Sequence, residues 1–225
     1  MMLKEILKKY KKEIDEILDA LSNCSFYELD VDDFENDFID VFKEKYHKNF
    51  TISSGATKGV IIFKNFNFVI KIPFYYCDEE ELSGADETDE SWNYCAQEVA
   101  RYEMASDDGF KDIFLEVQFL DEINGHPIYI QPYADILSYI DSDQYEKEYC
   151  SNTNKDKEIV RKIDLDWDGY INLNWEADLY VLYGKSFYLC LKQYLNDNNI
   201  DDLRIDNIGY VNKKPVLVDY AGFNS

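Results

Sequence analysis

The 225-residue chain predicts an α+β fold in two lobes, and three observations carry that expectation. Apolar residues recur every three or four positions near the start and through much of the second half, which is helical spacing. Between them lie short runs rich in β-branched and aromatic residues, bounded by Gly, Asn and Ser. Their order is helices, three strands, one helix, two strands, helices and a last hairpin. Five strands then form an antiparallel sheet around one packed helix, followed by a small, mainly helical lobe. The expected divisions are a helical extension over 1–46, a strand lobe over 47–131 and a second lobe over 132–225.

Leu3, Ile6, Leu7, Tyr10, Ile14, Ile17, Leu18 and Leu21 predict one amphipathic helix over 2–22 with a lysine-rich outer face. Phe34, Phe38, Phe42 and Tyr46, each four apart, predict a second over 31–46, its stripe widened by Ile39 and Val41. The period then changes. Residues 50–54, 60–63 and 68–74 read as a three-strand meander whose second hairpin turns at Lys64-Asn65-Phe66-Asn67. Residues 78–90 hold eight acids in thirteen positions and read as a solvated loop. A helix over 92–106 follows, then strands over 113–120 and 127–131 joined at Asn124-Gly125, a pair suited to a tight turn. Helical spacing returns over 134–149, over 156–164 and, as one long helix, over 175–196. The last hairpin runs over 208–211 and 216–218, turning at Asn212-Lys213-Lys214.

Forty-six acidic against 23 basic side chains give a formal charge of −23. That excess disfavours a grip on nucleic-acid phosphates or on an anionic membrane surface. A hydrophobic fraction of 46% and an aromatic fraction of 16% are ample for a core, so the acidity does not imply disorder. No apolar run approaches the roughly 20 residues of a membrane helix. The lysine-studded start does not read as a secretory signal. Cys24, Cys77, Cys95, Cys150 and Cys190 are scattered, form no Cys-x-x-Cys pair and lie near neither His47 nor His126. They are expected to pack as small apolar residues in a reducing cytoplasm, not to form a zinc site or disulfides. His126, beside the predicted Asn124-Gly125 turn, is expected to face solvent.

Two segments carry candidate chemistry. Asp202-Leu203-Arg204-Ile205-Asp206-Asn207 precedes a hairpin and an apolar strand that closes on Asp219, twelve residues after Asn207. In the first half, Phe68-Val69-Ile70-Lys71-Ile72 places a lysine in an apolar strand, which is costly unless the charge is paired. The next helix offers Glu98 and, as second choice, Glu103; five apart, only one of them can face the sheet. Alone, each residue has a plainer role. Lys71 fits a snorkelling edge residue, Asp202 and Asp206 an Asp/Asn-rich turn, and Asp219 the end of a strand. Taken in order, these motifs resemble the protein-kinase-like superfamily over about residues 50–223, and in particular its abbreviated bacterial and phage members that lack an activation segment.

The resemblance implies a bilobal kinase-like fold and an ATP- and Mg2+-dependent phosphotransferase. Such an enzyme moves a γ-phosphoryl group to a hydroxyl acceptor, first of all on a protein. It implies Asp202 as the base, Lys71 and Glu98 as the pair that positions the nucleotide, and Asn207 and Asp219 as the magnesium ligands. It places nucleotide contacts at Ser54, Gly55, Ala56, Thr57 and Lys58 of the first hairpin turn, at Lys71, and at Gln131 and Tyr133 of a hinge whose backbone bonds adenine. The departures are specific. Only Gly55 remains of three loop glycines, with Ser53 and Lys58 at the other two positions. Ile200-Asp201 stands where the family has His-Arg, and Asp219-Tyr220-Ala221 replaces Asp-Phe-Gly. Six residues follow Asp219, so no activation loop is expected. These departures imply an alternative, a catalytically degenerate member whose acidic surface docks a basic protein partner. Transfer of an adenylyl group is a third possibility.

Overall fold

The computed structural model describes residues 2–26, 31–46, 48–55, 57–74, 93–136, 173–204 and 206–221. The acidic run 78–90, the expected helix 156–164, most of 134–149, and Ala56, Cys77 and Cys150 lie outside them. The described chain is α+β, with a five-stranded antiparallel sheet and six helices. It divides into two compact units, residues 1–104 with 116–133, and residues 105–115 with 134–225.

The first unit holds β1 (Phe50–Ser54), β2 (Lys58–Phe63), β3 (Phe68–Pro73), β4 (Gln118–Ile123) and β5 (His126–Pro132), in the spatial order β1-β2-β3-β5-β4. Strand side chains alternate between faces, and the register fixes which residues share one. Gly59 pairs with Ile72, Ile61 with Ile70, and Ile70 with Ile130, so these line one face. That face is covered by α1 (Met2–Lys9), α2 (Lys11–Leu21) and α3 (Val31–Tyr46). The α3 stripe Phe34, Phe38, Phe42 and Tyr46 is wholly buried. Its rings meet the sheet edge-on, Phe42 on Phe63 at 6.1 Å and Phe34 on Phe74 at 5.4 Å between centroids. Burial of each such side chain contributes about 1.5–3 kcal/mol. The residues before the first strand are therefore integral to the sheet's core. On the opposite face, Val60 pairs with Lys71 and Lys71 with Tyr129, and α4 (Tyr94–Asp107) supplies the cover for Lys71 there.

Three expectations for this unit are corrected. The single helix over 2–22 is two helices, because Tyr10 leaves helical geometry and packs its ring on Phe66 and Phe68. The strand expected from 113 begins only at Gln118. Residues 113–115 pair instead in the second unit, where Leu115 N–H donates to Leu217 O and Leu217 N–H to Ile113 O. His126 does not face solvent: it is 5% exposed and stacks on Phe26 at 4.8 Å. Register places it on the helix-covered face with Ile128 and Ile130, and burial lowers its pKa. The adjacent Asn124 side chain donates to the carbonyls of Ser22 and Cys24, which draws the β4–β5 turn onto the end of α2.

The second unit holds β6 (Asp135–Ile136), α5 (Leu173–Tyr183), α6 (Lys185–Asp197), β7 (Ile208–Val211) and β8 (Lys214–Leu217), with strand order β6-β7-β8. The expected long helix over 175–196 is broken at Gly184, whose φ of +83° helices do not contain. Residues 135–136, expected to open a helix, form β6. Its backbone comes so close to Gly209 that a Cβ there would lie 2.7 Å from Asp135 O. Asn212 and Lys213, with φ of 50° and 66°, make the tight turn of the last hairpin. Cys24 and Cys95 are buried as expected, but Cys190 is exposed on α6. Among the described residues no helix is long and apolar enough to cross a membrane.

Candidate functional site

The first unit brings three of the expected residues together. Lys71 lies on β3, which is paired on both sides by β2 and β5, so it is an interior residue and not a snorkelling edge one. Alternation turns it toward α4, where its Nζ donates to both carboxylate oxygens of Glu98 at 2.9 and 3.0 Å. Lys71 is 2% exposed and Glu98 0%. Glu103 is exposed, so Glu98 is the partner. Lys58 joins them: its Nζ lies 2.9 Å from Glu98 Oε1 and it is 4% exposed. It is the first residue of β2, not a loop residue, and alternation sets it on the same face as Val60 and Lys71.

Local chemistry holds Glu98 in place. Asn93 caps α4, its Oδ1 accepting the Ala96 N–H at 3.0 Å. Its Nδ2 donates to Tyr129 OH at 2.9 Å, which ties the helix start to β5. Neither Asn93 nor the Lys58–Glu98 pairing was anticipated. An Asn immediately before helical spacing was the available signal for the cap.

The other loop and hinge residues take different positions. Gly55 N–H donates to Lys58 O at 3.0 Å and closes the β1–β2 turn, while Thr57 O accepts the Phe74 N–H. Ser54 pairs with Gly59 and so lies on the helix-covered face, its Oγ 3.3 Å from Glu35 Oε1 of α3. Its side chain is not with Lys71; Gly55 and Thr57 offer backbone groups. Gln131 is fully buried on β5 opposite Val69. Tyr133 is exposed, and its N–H donates to Asn67 O at 3.1 Å.

The second unit brings together Asp202, Asn207 and Asp219. Asn207, itself buried, donates from Nδ2 to Asp202 O at 2.8 Å. Its carbonyl accepts the N–H of Val218 at 2.8 Å and of Asp219 at 3.2 Å. One asparagine thus fixes both the loop that carries Asp202 and the strand end that carries Asp219. Ile200, Leu203 and Tyr220 anchor the same segments in the core, and Tyr220 OH donates to Leu115 O at 2.8 Å. Sequence reasoning missed Arg204, whose Nε lies 2.8 Å from Asp202 Oδ1 and whose Nη2 lies 3.2 Å from Oδ2. Asp202 first, and Asp206 after it, raises the guanidinium pKa further. Two lone-pair sites remain on a carboxylate that accepts this fork.

Amide and carboxylate oxygens are the donor types that a hard cation takes. Asn207 uses its amide nitrogen on Asp202 O, so its Oδ1 is the atom suited to ligation, with the Asp219 carboxylate as the second oxygen source. Mg2+ is commonly held by one or two protein oxygens while waters and phosphates complete its shell. Among the described residues no group of three or more His, Cys, Asp and Glu side chains is arranged to hold a metal. Comparison with protein families, curated proteins and solved structures finds no match for this chain.

Proposed function

We propose that the chain is a kinase-like phosphotransferase that uses Mg2+ and ATP and passes the γ-phosphoryl group to a hydroxyl, in the first instance on a protein. The observation that carries this is the buried pair of Lys71 with Glu98. A strand lysine held on both oxygens of a helix glutamate is the arrangement that phosphoryl transfer uses to fix nucleotide phosphates. A fixed ammonium needs no reorganisation when charge develops on the transferred group. The cluster of Asp202, Asn207 and Asp219 adds the remaining parts. Asp202 orients the acceptor hydroxyl and takes its proton as the oxygen attacks phosphorus. Arg204 holds the Asp202 carboxylate in one orientation for that transfer. Asn207 and Asp219 supply the oxygens for the cation. Bound there, magnesium would neutralise phosphate charge, which matters for a chain of net charge −23.

Incubation with labelled ATP, Mg2+ and candidate protein acceptors tests this. Transfer by the wild type that is lost in both Asp202→Ala and Asp219→Ala supports the assignment. Transfer that survives Asp219→Ala sinks the metal site.

A second function is favoured by two specific observations. The Tyr133 amide, a natural hinge donor to adenine, is already engaged by Asn67 O, and the first turn has a single glycine. A degenerate member that binds a basic protein through its acidic surface accommodates both features. Thermal-shift measurement separates the two, since an absence of stabilisation by Mg-ATP favours the second.

A further inference from the structure

We propose that the outer edge of β1, with the groove that α3 forms beside it, binds the same edge of a second copy of this chain, so that two sheets join across a two-fold axis. The inference does not depend on the nucleotide reading. β1 is an outer strand, and among the described residues it pairs only with β2. Asn49 O accepts the Lys64 N–H and Gly55 N–H donates to Lys58 O, so Thr51 and Ser53 between them also turn their backbone groups toward β2. Those of Phe50, Ile52 and Ser54 point outward. Sheet edges are normally guarded by charge, proline or a bulge. The far edge, β4, has such guards in Asp121, Glu122 and a register shift between Phe119 and Asp121. β1 is Phe-Thr-Ile-Ser-Ser, pairs with β2 without a shift and has none of them.

The occupant follows from α3. This helix runs antiparallel to β1, with Glu35 at the Ser54 end and Phe42 against Phe50. Glu35, Ile39 and Lys43, each four apart, form one exposed stripe. With Phe50, Thr51 and Ile52 they line a groove of about 320 Å³. Acid, apolar residue and base in that order make a stripe that complements itself when reversed, as an isologous two-fold contact requires. Antiparallel pairing of two β1 strands centred on Ile52 sets Phe50 against Ser54 of the partner subunit and engages all the outward backbone groups. The same axis brings the two Ile39 side chains together, each 41% exposed in the single chain. It also sets Glu35 against the partner's Lys43 at both ends. Lys43 is available for this, since its 3.7 Å contact with Asp40 is an exposed pair of little worth. The charge of −23 opposes association. At about 0.15 M salt, however, exposed charges more than about 8 Å apart are largely screened, while touching pairs are not.

The test is sedimentation velocity of the full chain at about 0.15 M salt, comparing wild type, Ile39→Lys, Glu35→Lys, Lys43→Glu and an equal mixture of the last two. Wild type is expected to be a dimer at about 100 μM. Each single variant is expected to raise the dimer Kd about tenfold or more, Ile39→Lys by placing two ammonium groups at the centre and the others by opposing like charges at both ends. The mixture is expected to recover association, because in the mixed dimer both ends again join opposite charges. All three positions are exposed, so the fold is retained; thermal melts verify this, and the charge variants with their mixture carry the test should Ile39→Lys not fold. A wild type that stays monomeric overturns the proposal and leaves the edge to a different chain. A dimer that no variant weakens also overturns it, as does a mixture no more associated than its components.

Discussion

Gly59 lies directly under the ring of Phe34: a Cβ built on Gly59 would sit 2.2 Å from Phe34 Cζ and 2.3 Å from Cε1. The contact joins α3 to β2 one residue beyond Lys58. The ring has little room to retreat, since it is fully buried and packs on Phe38 at 4.4 Å and Phe74 at 5.4 Å. The glycine is therefore required by its neighbour and not by its own backbone angles.

Gly59→Ala is accordingly expected to destabilise the protein by about 1–3 kcal/mol through overpacking. Phe34→Ala alone should cost about 3–5 kcal/mol by leaving a cavity. The double variant should cost clearly less than the two losses added, because truncating the ring removes the clash. Urea unfolding of the four proteins measures the coupling, and strictly additive losses would show that the contact is not felt.

Glu98→Gln retains shape but leaves Lys58 and Lys71 beside a neutral amide in a buried setting. Removing one partner from a buried ion cluster typically costs about 3–5 kcal/mol. Replacing all three charges, as in Lys58→Met with Glu98→Leu and Lys71→Met, should be better tolerated than Glu98→Gln, since neither lysine is then left beside a neutral amide. Chemical denaturation ranks the two proteins. A Glu98→Gln cost below about 1 kcal/mol would mean that the cluster behaves like a solvated surface pair.

These positions show which parts of the structure were legible in the sequence. The α3 stripe and the five-strand order could be read because local periodicity determines which face is apolar, and that face has only one place to go. Glu98 could be chosen over Glu103 as partner to Lys71 because helix geometry admits one of them to the sheet. The pairing of Lys58 with Glu98 is not legible because the two lie 40 residues apart and no local pattern records the contact. His126 escaped for the same reason: the turn chemistry beside it was correct, but the Phe26 ring that covers it comes from the other end of the unit. The two-residue β6 has no period of its own, and its one trace in sequence is the glycine at 209 that admits it. Gly184 stands in the sequence, but the helical spacing on both sides of it masks the break.

Gly184 also supports a prediction that separates conformation from packing. Nothing lies within 4 Å of a Cβ built there, so Gly184→Ala meets no steric obstacle from neighbours. The cost comes only from the positive φ of 83°. A loss of about 1–3 kcal/mol in urea unfolding is expected, from holding an L side chain in an extended, positive-φ conformation that is essentially confined to glycine. A stabilised variant would instead mean that α5 and α6 join into one helix in solution, and an increase in helical circular dichroism would accompany it.

Glu176 makes stability depend on pH in a direction opposite to that of most carboxylates. It is 1% exposed on α5, with Tyr188 OH 3.3 Å from its Oε1. Burial pushes its pKa up from 4.5 to about 7, and the Tyr188 bond and the Lys192 charge offset that only in part. Between these values the native state keeps a proton that the unfolded chain has lost. This contribution to stability is therefore full below about pH 4.5 and is lost as pH rises through 7. At about 1.4 kcal/mol per pH unit the gap sets an upper bound of roughly 3.5 kcal/mol. Glu176→Gln cannot ionise and retains an acceptor for Tyr188, so it should match wild type near pH 4.5 and exceed it at pH 8. Unfolding free energies of the two proteins across that range provide the measurement. Taking the difference between them cancels every other titrating group, and a difference that stays flat with pH would show that Glu176 is ionised in the native state throughout.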